Sequence, residues 1–263
     1  MKKYLHAFKN KTKMESLREI FDKLNGNLIQ KWDHYIEVYD LYFSKYRGKE
    51  VNILEIGVSQ GGSIQLWKKY FGDKMHLYGV DINPRCKELE EDNVTIFIGE
   101  QEDRNFLNDL KSKIPKLDIL IDDGGHTMIQ QIVTFEEMFN HIKEDGIYLC
   151  EDIHTSYIDA FHGGYKKKST FVEYSKNFID YINAWHSESK STFSVTDFTR
   201  SVYGLHFYTG MVLIEKRKMN FFLELSNIAL AALKKVTPAK SNTAGITSSI
   251  DKIKNGINGQ HPS

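Results

Sequence analysis

Cysteine and proline are scarce in this chain of 263 residues, and neither sign of charge predominates. There are 2 Cys and 4 Pro, and 35 Lys plus Arg balance 35 Asp plus Glu. Cys86 and Cys150 lie far apart and form no Cys-x-x-Cys pair, so neither a disulfide framework nor a zinc site can be read, and a reducing, cytoplasmic setting is expected. So few prolines argue against long extended linkers. The charge balance removes the electrostatic case for a nucleic-acid partner. No run of about 18 apolar residues occurs, so no membrane span is expected. The basic segment Met1 to Lys13 lacks the apolar stretch of ~7 to 15 residues that a secretory signal needs. What the chain does have is 41% hydrophobic and 27% charged residues, which suits a soluble globular domain rather than a disordered or fibrous chain.

Between Val51 and Glu215, short β-branched apolar runs alternate with longer helical patterns, the signature of parallel βαβ units. Strands are expected at 51–58, 76–81, 94–99, 117–122, 146–152, 203–207 and 211–215, and helices at 63–71, 84–91, 105–113 and 129–142. Only Tyr208, Thr209 and Gly210 separate the last two strands, too few residues for a crossover, so these strands must pair antiparallel. The expected fold class is therefore α/β: a seven-stranded Rossmann-like sheet, mostly parallel with the last strand reversed, and helices on both faces. Helices at 14–24 and 35–46 precede it, and an amphipathic helix at 221–233 follows. Residues 237–263, rich in Ser, Thr, Asn and Gly and without an aromatic, read as a weakly ordered tail. The chain thus divides into a helical arm and cap (1–48), a core (49–218) and a C-terminal helix with its tail (219–263). Helices outside the core offer faces for a homodimer.

The first strand runs into Leu54-Glu-Ile-Gly-Val-Ser-Gln-Gly-Gly-Ser63, a glycine-rich turn entering a helix. Such turns let a ligand approach the backbone and the helix N-terminus. A dinucleotide loop would carry glycine where Ser59 stands, so this turn, with Glu55, Gly57 and Ser63, suits S-adenosylmethionine better than a pyrophosphate. Asp81, at the end of the second strand, lies at the distance from Gly57 expected of a ribose-binding carboxylate. The polar turn Gly99-Glu-Gln-Glu-Asp103, with Gln101 at its middle, would touch the adenine edge.

After the fourth strand comes Ile121-Asp-Asp-Gly-Gly-His126, and after the fifth Cys150-Glu-Asp-Ile-His154. Both reach the carboxyl edge of a parallel sheet, which brings Asp122, Asp123, Glu151 and Asp152 into one crevice. Unpaired anions this close repel, and a divalent cation with hard oxygen ligands is the simplest neutraliser. Asp123, Glu151 and Asp152 are the expected metal ligands, and Asp122 is assigned to the cofactor side. His126, beside them on a glycine-rich turn, is the expected general base, because imidazole titrates near neutral pH. Tyr35, His154, Tyr157 and Tyr165 are expected to line the acceptor site. The last two belong to a Gly-rich aromatic stretch that could form a lid and that ends in Lys166 to Lys168.

These residues resemble the class I S-adenosylmethionine-dependent methyltransferases, and among them the metal-dependent sugar O-methyltransferases of macrolide-sugar type. The resemblance rests on Lys31-Trp-Asp-His-Tyr-Ile-Glu-Val-Tyr39, Leu54-Glu-Ile-Gly57, Val80-Asp-Ile-Asn-Pro84, Asp122-Asp-Gly-Gly-His126, Glu151-Asp152 and Leu205-His-Phe-Tyr208. It implies S-adenosylmethionine and Mg²⁺ as cofactors, Mg²⁺ on Asp123, Glu151 and Asp152, a histidine base at His126, and a small-molecule or glycan acceptor. That acceptor could be a nucleotide sugar, a surface polysaccharide or a glycosylated natural product. The family's Gly-Thr-Asp-Lys stretch is absent; residues 27–31 stand in its place. A catechol or phenolic O-methyltransferase and a noncatalytic scaffold that binds S-adenosylmethionine are the alternatives.

Overall fold

The computed structural model describes residues 14–220. The expected N-terminal arm up to residue 13, the helix at 221–233 and the tail at 237–263 lie outside the described residues. The strands are β1 (Val51–Ile56), β2 (Met75–Asp81), β3 (Val94–Ile98), β4 (Leu117–Asp122), β5 (Ile142–Cys150), β6 (Val202–Tyr208) and β7 (Met211–Lys216). They form one seven-stranded sheet in the order β3-β2-β1-β4-β5-β7-β6. The pairs from β3 across to β5 are parallel, and β7 runs antiparallel to both β5 and β6. The antiparallel β6-β7 pair is what the short 208–210 connection demanded, with the reversed β7 seated between β5 and the edge strand β6.

Helices cover both faces: α1 (Leu17–Asp22), α2 (Asp33–Phe43) and α3 (Gly62–Phe71) on one, α4 (Arg104–Lys113), α5 (Met128–Met138) and α6 (Phe171–Asn183) on the other, with α7 (Asp197–Ser201) beside α6. Alternation along the central strands feeds the two cores. Ile53, Ile119, Ile121 and Leu213 point to the first, and Leu54, Leu120, Val212 and Ile214 to the second. Every residue of β4 is buried, which explains the apolar Ile119-Leu-Ile121 at its centre. Leu17, Tyr39 and Phe43 lie in the same core as β1, so α1 and α2 pack directly on the sheet. Among the described residues, no helix is long and apolar enough to cross a membrane. Cys86 and Cys150 are free and buried.

Four elements differ from expectation. The 84–91 helix is a 3-10 turn, Pro84–Leu89. Glu90 Oε1 accepts from the Ile96 N–H at 2.9 Å, and Lys87 Nζ donates to the Ile96 carbonyl at 2.7 Å, which draws the chain into β3 before an α-helix can extend. The 129–142 helix ends at Met138, and β5 begins at Ile142, where an irregular register with β4 takes up the extra strand residues. Finally, α6 and α7 occupy a stretch that carried no expected element.

Candidate active site

The strand order reverses between β1 and β4, and a cleft opens beyond their carboxyl ends, the usual ligand crevice of an open α/β sheet. It measures about 590 Å³, and Gly57, Ser63, Asp81 and Gln101 line it together with Asp123, His126 and Asp152. Gly57, directly after β1, adopts a φ of 90°, and a Cβ there would fall 2.0 Å from the Asp123 carbonyl oxygen. Only glycine lets the loop pass this close to the end of β4. Asp81 ties the loop to β2: its Oδ2 accepts from the Ser59 N–H and its Oδ1 from the Asn83 N–H, each at 2.9 Å. Carboxylate oxygens carry two lone pairs each, so Asp81 can still accept from ribose hydroxyls.

Glu55 and Asp122 lie behind the cleft wall rather than on it. Glu55 is fully buried, with Ser63 Oγ donating to it at 2.9 Å and Trp67 Nε1 at 3.4 Å. Burial pushes its carboxyl up to about 7, against the opposing charge of Lys31. Burial likewise pushes Asp122 up to about 8, although Gln101 Nε2 donates to it at 2.5 Å. Gln101 Oε1 also accepts from the Gly125 N–H at 3.0 Å. Glu55 and Asp122 therefore act on the cleft through Ser63 and Gln101, which they hold in place.

The acidic pole forms because β4 and β5 are neighbours in register, Asp122 beside Cys150, so the residues after each strand emerge side by side. His126 Nε2 lies 3.9 Å from Asp123 Oδ1 and 3.7 Å from Asp152 Oδ2. One donor atom from each of these three residues falls within 4.8 Å of the others. His126 and Asp152 sit at φ of 59° and 52°, a left-handed backbone that costs on the order of 1–3 kcal/mol each outside glycine. The surroundings over-determine both. Thr155 Oγ1 lies 2.9 Å from the His126 and Asp152 carbonyl oxygens, and the Tyr35 hydroxyl donates to Asp152 Oδ1 at 2.8 Å. Hard carboxylate oxygens converging beside an imidazole fit a divalent cation such as Mg²⁺.

Lys31, which carried no burial signal in the sequence, completes the pole. Its side chain is 3% exposed, and Nζ donates to Glu151 Oε2 at 2.8 Å and also to Asp123 Oδ2. The Tyr39 hydroxyl donates to Glu151 Oε1 at 2.6 Å, so both oxygens of this buried carboxylate are engaged. Burial alone would lower the Lys31 pKa, but the charges of Glu151 and Asp123 outweigh it and keep the ammonium protonated. Burial and the Asp123 charge push Glu151 upward, against the pull of Lys31. The structure thus brings Asp123, Asp152 and His126 together on the open side and leaves Glu151 behind them with Lys31.

A second recess of about 320 Å³ adjoins the pole, lined by Trp32 and Tyr35 with Asp123, Glu151 and Asp152. Tyr35 is buried with its hydroxyl on Asp152, so what it does is orient that carboxylate. His154 meets the exposed Trp32 edge to face at 5.9 Å between ring centres. Tyr157 and Tyr165 are exposed on the following loop and line neither cleft. Lys167, from the basic run, donates to the His162 carbonyl at 2.9 Å.

A seven-stranded sheet with one reversed strand and a glycine-walled cleft at the switch point is the fold of the class I S-adenosylmethionine-dependent methyltransferases, and here a carboxylate-histidine pole stands beside that cleft. Among proteins of that fold, the relatives of this chain include sugar O-methyltransferases. It is 32% identical over 191 residues to 8-demethyl-8-alpha-L-rhamnosyl tetracenomycin-C 2'-O-methyltransferase of Streptomyces olivaceus, covering 70% of this chain and 50% of that protein. It is 33% identical over 188 residues to demethylmacrocin O-methyltransferase of Streptomyces fradiae, covering 68% of this chain and 47% of that one. Among solved structures, the mycinamycin-pathway methyltransferase MycE in complex with Mg, SAH and mycinamycin VI superposes with a TM-score of 0.70 at 26% identity, covering 84% of this chain and 59% of that one. No family model matches the chain. The chain spans about half the length of the curated relatives it matches.

Proposed function

We propose that this protein transfers the methyl group of S-adenosylmethionine to a hydroxyl of a sugar, with Mg²⁺ or another divalent cation bound at the acidic pole. The observation that carries the reading is the position of that pole: Asp123, His126 and Asp152 form one wall of the cleft whose other walls hold Gly57 and Asp81. Gly57, Ser63, Asp81 and Gln101 would contact the cofactor, and Glu55 and Asp122 would hold its loops. Asp123, Glu151 and Asp152 would bind the metal, which when present lowers the pKa of an acceptor hydroxyl and orients it.

His126 would take the proton from that hydroxyl as its oxygen attacks the sulfonium methyl carbon and S-adenosylhomocysteine leaves. Much of the acceleration would come from holding oxygen, carbon and sulfur in line, which the rigid strand ends supply. His154, Tyr157 and Tyr165, with Trp32, would offer aromatic surface to the acceptor. A glycosylated small molecule fits the relatives' names, whereas a nucleotide sugar or surface polysaccharide, a cytoplasmic setting and a dimer are the sequence-based parts of the proposal.

The test is a methyl-transfer screen over rhamnosyl and other glycosides, sugar nucleotides, glycan fractions and catechols, run on wild type and on His126→Ala. Transfer to a sugar, lower by ~10²-fold to 10⁴-fold in the variant, is expected. Transfer to catechols alone, or undiminished transfer by a folded variant, would refute the acceptor class or the role of the base respectively.

A further inference from the structure

Lys31 is a cation already bound to carboxylates that the proposed metal would use. Its ammonium bonds to Glu151 and Asp123, two of the three proposed ligands, and it is nearly sealed from solvent. Glu151 has no idle oxygen, because Tyr39 holds the other one. A divalent cation drawn to these carboxylates meets a like charge at contact distance, and at equal separation its attraction to each carboxylate is twice that of the ammonium. Like-charge repulsion therefore makes the two cations compete for these oxygens. The backbone leading into Lys31 also borders the main cleft. Residues Leu28 to Lys31 line the main cleft, a Cβ on Gly62 would meet the Leu28 carbonyl at 2.3 Å, and the Asn27 N–H donates to Gln65 on α3 at 3.2 Å.

We propose that Lys31 is a positioning residue: a tethered cation that holds Asp123 and Glu151 together until a divalent ion displaces it, so that metal binding reshapes the cleft wall formed by Leu28 to Lys31. The proposal rests on the metal-dependent reading of the pole. It gives the chain a reason to seal a lysine among its own metal ligands: the carboxylates are held ready without mutual repulsion, and metal and cofactor binding become coupled.

The test is brief acetylation of the whole protein with acetic anhydride, with and without saturating Mg²⁺ and in the absence of cofactor, read at Lys31 by peptide mass spectrometry. Mg²⁺ binding is followed on the same samples by calorimetry. Lys31 is expected to be protected without Mg²⁺ and labelled several-fold more with it, while Lys216, bonded to the Phe139 and Ile142 carbonyls, stays unchanged. A Lys31→Met variant is expected to bind Mg²⁺ more tightly than wild type, or to fold only when Mg²⁺ is present. Protection of Lys31 in both samples, with Mg²⁺ binding measured, would overturn the displacement. Absence of any Mg²⁺ binding heat in wild type would overturn the metal reading itself, and the proposal with it.

Discussion

Asp152 takes its direction from Tyr35. The Tyr35 ring is buried in α2, and its hydroxyl reaches over to Asp152 Oδ1 and lies 3.0 Å from the Gly210 carbonyl. Tyr35→Phe keeps the ring and removes only the hydroxyl with its contacts to Asp152 and the Gly210 carbonyl, so the fold should persist while Mg²⁺ affinity falls about 10-fold to 100-fold, as for other partners that orient a metal ligand. Calorimetric titration checks it, and unchanged affinity would mean that the backbone alone fixes Asp152. At this scale the sequence was legible where chemistry sits next to a strand end: Asp123, His126 and Asp152 were placed by counting from apolar runs. Lys31 was not legible, because its burial comes from α2 folding across the sheet edge. Tyr35, expected to line the acceptor site, borders the recess beside the pole, and its bond to Asp152 was not legible because it joins α2 to the end of β5.

Among the elements, α6 shows how a helix escapes notice. Thr170 caps it, with its hydroxyl accepting from the Glu173 N–H at 3.3 Å, and Phe171, Val172, Ser175 and Phe178 make its buried face. That spacing was present in the sequence, but a basic run and an aromatic loop precede it, and they drew attention to a lid instead. Phe178 is 1% exposed and packs tilted against Phe135 at 4.5 Å and Phe198 at 5.1 Å between ring centres. Phe178→Ala should cost ~3–5 kcal/mol in a denaturant titration, through lost burial and the cavity left behind. The strands and the reversed hairpin were legible because two constraints agreed, apolar runs of strand length and a connection too short for a crossover.

At the end of β7, Lys216 supplies a pH signature. Burial, with the nearby Lys116 charge adding to it, lowers its pKa from 10.5 to about 8. A depressed folded pKa gives stability that is complete above the unfolded value and lost as pH falls through the folded one. Wild type should therefore lose melting temperature relative to Lys216→Met as pH drops from 10.5 toward about 8. Parallel pH profiles of the two proteins would show instead that Lys216 is solvated.

For the whole molecule, the balanced charge of 35 basic and 35 acidic residues conceals local separation. Asp123, Glu151 and Asp152 collect at one point of the sheet edge, where the chain answers them with Lys31 and, in our account, with a divalent ion. That account is tested most directly by following transfer of a deuterated methyl group from S-adenosylmethionine to a glycoside acceptor by mass spectrometry, in chelator and after Mg²⁺ is restored. Methylation of the sugar that stops in chelator and returns with Mg²⁺ is the predicted result; equal sugar methylation in chelator would contradict it.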